Sequence, residues 1–204
     1  MQFRLLELDL FNPNAATHLI LCSCVFQILS KLNHPNIATL YGYHLPLERM
    51  DNMCLIYELA SEGSLEGFWK SDSGRQRLSN STTRIRIAHQ VATVVRYMHE
   101  GLDGQDKCYH RDIKSANVCL GADFTALVID CGLSKYVEEG QASMSCTTSG
   151  KGTLGYICPE YNGGYTKFIS ACEVFSFGVF LCFMYYLFGP TRQYKLAKIL
   201  NRNH

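Results

Sequence analysis

Tyr109–Leu120 reads YHRDIKSANVCL, and within it His110–Asn117 set out an imidazole, a guanidinium (Arg111), a carboxylate (Asp112), an ammonium (Lys114) and a carboxamide (Asn117). The apolar pair Val118 and Leu120 closes the stretch. A polar turn between a helix and a strand accounts for one or two of these groups, but not for all of them in the spacing H-R-D-x-x-x-x-N. Each has a chemical use. Moving a phosphoryl group needs a carboxylate for the acceptor hydroxyl, a cation near the charged oxygens, and an oxygen ligand for Mg²⁺. Asp112, Lys114 and Asn117 are the candidates for those three roles.

Working outward, Ser81-Thr82-Thr83 offer cap chemistry for a long helix to about Glu100, stopped by Gly101. Its apolar residues Ile85, Ala88, Val91, Val95 and Met98 advance by three or four positions, so one face is expected to be buried. Two short strands around Gly121-Ala122-Asp123 follow the quoted stretch, then Asp130-Cys131-Gly132, a Ser- and Thr-rich loop, and an apolar helix from Glu173 to Phe188. Upstream, His18–Leu32 has helical spacing, and the Asn33-His34-Pro35-Asn36 segment ends it. Ile37–Tyr43 and Met53–Leu59 read as strands, Leu45–Asn52 as a loop between them, and Lys70–Asn80 as a polar linker. Residues 1–17 give no clear signal.

Composition narrows the classes. The 204 residues are 47% hydrophobic and 18% charged with a net charge of +1, which fits a folded domain and gives nucleic acid no bulk electrostatic handle. The ten cysteines contain no C-x-x-C, and only Cys22 and Cys24 stand close together, as expected of a reduced, cytoplasmic setting. The Val174–Phe188 run is apolar but shorter than the roughly 18 residues that cross a bilayer.

The order of these segments resembles a protein kinase of the serine/threonine type, in the branch that holds interleukin-receptor-associated and plant receptor-like kinases. The likeness runs from about Ser23 to Gly189. SKLNHPNIATLYGY resembles the end of the regulatory helix and the next strand; LIYELASEGSLEGF resembles the strand, hinge and helix beside adenine. The resemblance implies an α+β, protein kinase-like fold, mainly the helical C-terminal lobe with a remnant of the N-terminal lobe. It divides the chain into 1–17, unassigned; 18–60, a partial N-terminal lobe; 61–190, the C-terminal lobe; and 191–204, a basic tail.

The same resemblance implies ATP and Mg²⁺ as cofactors and a protein bearing Ser or Thr as substrate. It makes Asp112 the base, Lys114 the cation near the γ-phosphate, and Asn117 and Asp130 the metal ligands. Asp130 stands eighteen residues after Asp112, where a D-F-G motif has its Asp, with Cys131 in place of Phe. Tyr57 falls at the gatekeeper position, and Glu58, Leu59 and Ala60 form the nucleotide-binding hinge. Cys158-Pro159-Glu160 resembles the A-P-E end of the activation segment. Ser143, Ser145, Thr147, Thr148, Ser149 and Thr153 lie between as phosphorylation candidates that Arg111 could pair with, or as a plain polar loop. Thr153 is alternatively a partner of Asp112 and Lys114. Gly150–Gly155 match G-x-G-x-x-G only formally, since no first strand precedes them.

Departures from the family pattern set further expectations. The first glycine is Gly42 and the first lysine Lys31, so no glycine-rich loop or strand lysine is expected before the regulatory helix, and Val25 stands where that lysine's glutamate partner belongs. Such groups are each worth ~10²–10³ in rate, so turnover is expected to be impaired. Fifteen residues follow Gly189, too few for the last helices of the lobe, which leaves the central helix with uncovered apolar surface and Glu160 without an arginine partner. Glu173, one methylene longer than the usual Asp, is expected to be displaced from the catalytic loop. Three readings stay open: an incomplete kinase, a pseudokinase used for binding, and a fragment that does not fold alone. Tethering to a membrane through a longer parent is open as well.

Overall fold

In the computed structural model, residues 3–7, 30–44, 54–101, 106–137, 141, 143–145, 151–164 and 167–186 are described. The expected helix over His18–Leu32 with Val25, the loop 45–52, Cys22 and Cys24, Thr147–Ser149 and the tail 191–204 lie outside these residues, apart from Ser30–Leu32.

The fold mixes helix and strand as expected. Three strands make the first sheet, β1 (Phe3–Glu7), β2 (Leu40–His44) and β3 (Cys54–Glu58), in the order β1-β3-β2, all antiparallel. β1 corrects the sequence reading, which found no signal there. A five-residue edge strand has no periodicity of its own, and only pairing with β3 reveals it. That register sets Arg4 across from Tyr57. β2 begins later than expected because the backbone of the residues before it is used elsewhere. Ala38 N–H donates to Val128 O (3.0 Å) and Asn36 O accepts from Val128 N–H (2.8 Å), while the Asn36 side chain donates to Ala126 O (2.9 Å). Asn33–Thr39 thereby ties the first sheet to the rest of the chain.

Next come β4 (Gly63–Ser64), α1 (Leu65–Lys70), α2 (Asp72–Arg77) and α3 (Ser81–Glu100). Ser64 caps α1 by accepting from Gly67 N–H (3.1 Å). α2 occupies what read as a linker; Ser71 caps it by accepting from Gly74 N–H (3.0 Å). The cap of α3 is Asn80, whose side chain accepts from Thr82 N–H (2.8 Å), rather than the Ser81–Thr83 run. Gly101, at φ 61°, closes α3 in the left-handed conformation that glycine adopts without steric cost. The buried stripe is Ile87, Val91, Val94, Val95 and Met98, and Ile85 is 68% exposed. Ile87–Val91–Val94–Met98 steps by four, three and four residues, which keeps one helical face, and Ile85 falls off it.

β5 (Cys108–Tyr109) pairs with β8 (Lys135–Tyr136), and β6 (Val118–Leu120) lies between β4 and β7 (Ala126–Val128). β9 (Ser143–Ser145), inside the expected polar loop, pairs with β10 (Lys167–Ile169), which lies beyond it. Proline at the first helical turn starts α4 (Pro159–Asn162), and α5 (Ser170–Tyr186) follows. α1, α3, α5, β6 and β7 enclose the main core around Leu65, Ile87, Val91, Met98, Ile113, Leu120 and Phe180. α5 still presents Val174, Phe175, Leu181 and Tyr185 to solvent. Among the described residues, no helix is long and apolar enough to cross a membrane.

Candidate active site

Between β5 and β6 the chain turns sharply, and the turn is pinned from below. Arg111 has φ 70°, a conformation that costs a non-glycine residue energy and persists only where its surroundings impose it. Here the fully buried Glu173, at the start of α5, accepts Arg111 N–H through Oε1 at 2.6 Å. Its Oε2 meets His99 Nε2 at 2.6 Å. The expected displacement of Glu173 does not occur. Its extra methylene reaches both the loop and the end of α3. His99 is a site residue that sequence reasoning missed, because no local spacing connects it to a partner on another helix.

The loop's own groups converge. Lys114 Nζ donates to Asp112 Oδ2 (2.7 Å) and to Thr153 Oγ1 (2.7 Å), and Thr153 Oγ1 donates to Asp112 Oδ1 (2.7 Å). Asn117 Nδ2 donates to Asp112 O (2.9 Å) and to Asp112 Oδ2 (3.0 Å). With its amide hydrogens used in this way, Asn117 keeps Oδ1 without a partner among the described residues. His110 lies beneath, with Nδ1 accepting Asp112 N–H (3.3 Å) and Nε2 donating to Ile129 O (3.1 Å). Burial pulls the Asp112 carboxyl upward, but the hydrogen bonds from Lys114 and Thr153 and the Lys114 charge outweigh it. The carboxyl therefore titrates below its ordinary value and is ionised at neutral pH.

Thr153 reaches Asp112 because the chain passes close by at Gly152. Its φ is 135°, and a Cβ there would stand 3.1 Å from Arg111 O, so glycine is what this approach requires. Tyr156 fixes the same segment: its Oη lies 3.2 Å from Ser115 Oγ, and its carbonyl accepts Ser176 Oγ–H at 2.7 Å.

Asp130 adjoins this network through the backbone, since Ile129 N–H donates to Asn117 O (2.9 Å). It too has positive φ, at 62°. Tyr57 is 3% exposed, and its Oη has no hydrogen-bond partner among the described residues. Burial first, then Cys131 and Asp130 beside it, push that phenol far above its ordinary range. Tyr57 and Ala60 pack in one apolar cluster with Cys119, Leu127 and Cys131, so Cys131 is a buried core residue. Leu59 is half exposed, and Ala60 O accepts Gly63 N–H (3.1 Å) in the turn that ends the segment. The Glu58 carboxylate turns outward to the Thr39 hydroxyl (3.2 Å). Arg111 donates to Leu133 O (3.1 Å) and Tyr161 Oη (2.7 Å), and its Nε has no partner among the described residues.

Comparison with known proteins gives a consistent result. The family pattern described as the protein kinase domain matches residues 25–203. A probable receptor-like serine/threonine-protein kinase of Arabidopsis thaliana is 36% identical over 156 residues, covering 76% of this chain and 34% of the relative. The leucine-rich repeat receptor protein kinase EMS1 of the same plant is 32% identical over 155 residues, 76% of this chain and 12% of the relative. The proline-rich receptor-like protein kinase PERK8, also from Arabidopsis, is 34% identical over 155 residues, 76% of this chain and 22% of its own length. The chain thus spans about a third or less of these relatives. β1 precedes the residues that the family pattern matches.

Proposed function

Because this chain belongs to the protein kinase family, we propose that it passes the γ-phosphoryl group of Mg·ATP to serine or threonine hydroxyls of a protein, slowly. One observation carries the reading: Lys114, Thr153 and Asn117 all hydrogen-bond a single buried carboxylate, Asp112. Mg·ATP, when bound, brings the phosphoryl group and a metal that offsets its charge.

The residues suit that guest. Among the described residues, no group of three His, Cys, Asp or Glu side chains could hold a metal alone. Asn117 Oδ1 and the Asp130 carboxylate are instead oxygen ligands of the kind that Mg²⁺ takes together with phosphate oxygens and water. Asp112 orients the acceptor hydroxyl and takes its proton. Lys114 stays at the carboxylate's edge, where its ammonium offsets charge that grows on the transferring oxygens. Thr153 ties the activation segment to both. Tyr57 closes the rear of the nucleotide site, and the Glu58–Ala60 backbone meets the base.

The proposal as a whole is tested by incubating the chain with γ-labelled Mg·ATP and a mixed Ser, Thr and Tyr peptide pool. Label is expected on Ser and Thr, and incorporation no higher than without the chain refutes it.

A further inference from the structure

A hollow of about 340 Å³ opens beside Asp112, lined by Glu66, Lys114, Ala116, Thr153, Val179 and Phe183 among others. We infer that it receives an apolar side chain of the acceptor protein, one to three residues from the Ser or Thr to be phosphorylated. This rests on the role proposed above for Asp112, and it adds the class of sequence that the site selects.

Position comes first. Lys114 and Thr153 line the hollow, and each has a polar atom 2.7 Å from the Asp112 carboxylate. A group seated there is therefore about one side-chain length from the acceptor hydroxyl. An extended peptide rises ~3.3 Å per residue, so a neighbour within three positions spans the gap.

Chemistry comes second. The two charged groups of the lining are already engaged. Lys114 Nζ is shared between Asp112 and Thr153, and Glu66 Oε1 pairs with Lys70 Nζ at 2.8 Å. The Ser115 and Tyr156 hydroxyls, also in the lining, lie 3.2 Å from each other, and the remaining lining is the apolar Ala116, Val179 and Phe183. These apolar residues come from the turn before β6 and from α5. Ala116 matters most, since a longer side chain at this position would fill the space.

The test uses the full chain and fluorescent nine-residue peptides with a central Ser in an Ala and Gln background. Leu is walked through the three positions on each side, and binding is read by anisotropy without nucleotide. One Leu position is expected to bind roughly tenfold tighter than its Ala counterpart, consistent with burying one such side chain. Ala116→Leu and Ala116→Glu should each abolish the gain. Equal affinity at every Leu position, stronger binding when Arg replaces Leu, or a gain that survives both variants would overturn the inference. The scan on the unaltered chain decides the matter even where a variant fails to fold. Labelling from γ-labelled Mg·ATP separates the two readings. Transfer without Leu preference removes the hollow and leaves the kinase; Leu-selective binding without transfer keeps the hollow and removes the kinase.

Discussion

Asp112→Asn is expected to lower phosphoryl transfer by about 10²–10⁴-fold, the range that a positioned proton acceptor contributes. The substitution is informative because the site tolerates its shape. The Asn oxygen can take the place of Oδ2, which accepts from Lys114 and Asn117. Its amide hydrogens then point at Thr153 Oγ1, a hydroxyl that already accepts from Lys114 and can turn to accept again. The fold should survive with a stability change within about 1 kcal/mol, so a lost rate reports chemistry. Transfer by the variant within threefold of the unaltered chain would show that Asp112 is not the proton acceptor.

Glu173→Ala is expected to destabilise the fold by about 2–5 kcal/mol, because two groups lose their buried hydrogen-bond acceptor at roughly 1–3 kcal/mol each. Glu173 is fully buried, and its two oxygens satisfy the Arg111 N–H and His99 Nε2, each at 2.6 Å. Alanine leaves both without partners and frees Arg111 from the left-handed conformation that aims the loop. Since whole domains are stable by only about 5–15 kcal/mol, the variant should be largely unfolded at moderate temperature. Glu173→Gln keeps one acceptor for Arg111 N–H and should cost only about 1–2 kcal/mol. Urea unfolding curves measure both. A Glu173→Ala variant within 1 kcal/mol of the parent would mean that the turn stands without this support.

The contrast between Glu173 and His99 marks where the sequence stops being legible. The catalytic turn was readable because its groups lie within one short segment, and Thr153 was readable through the family resemblance. His99 was not, because its partner lies 74 residues away on another helix. Helices α3 and α5 announced themselves by periodicity and by apolar content, although the stripe of α3 runs from Ile87 and not from Ile85. The short elements were lost. β1, α2 and the β9–β10 ribbon are each six residues or fewer, too short for a period, and the two strand elements acquire meaning only from remote pairing. The opposite error befell Glu173, where a longer side chain read as a defect and is in fact what links two helices through the loop.

The proposed phosphoryl transfer requires Asn117 and Asp130 to hold one divalent metal together with the nucleotide's phosphates. Mn²⁺ is a visible substitute for Mg²⁺, and its free concentration can be followed by electron paramagnetic resonance as the chain is titrated with and without ATP. One Mn²⁺ should bind tightly only when ATP is present, and Asp130→Asn or Asn117→Ala should each weaken that binding at least tenfold, a change of about 1.4 kcal/mol. Mn²⁺ uptake that ignores ATP, or that is the same in both variants as in the parent chain, would contradict it.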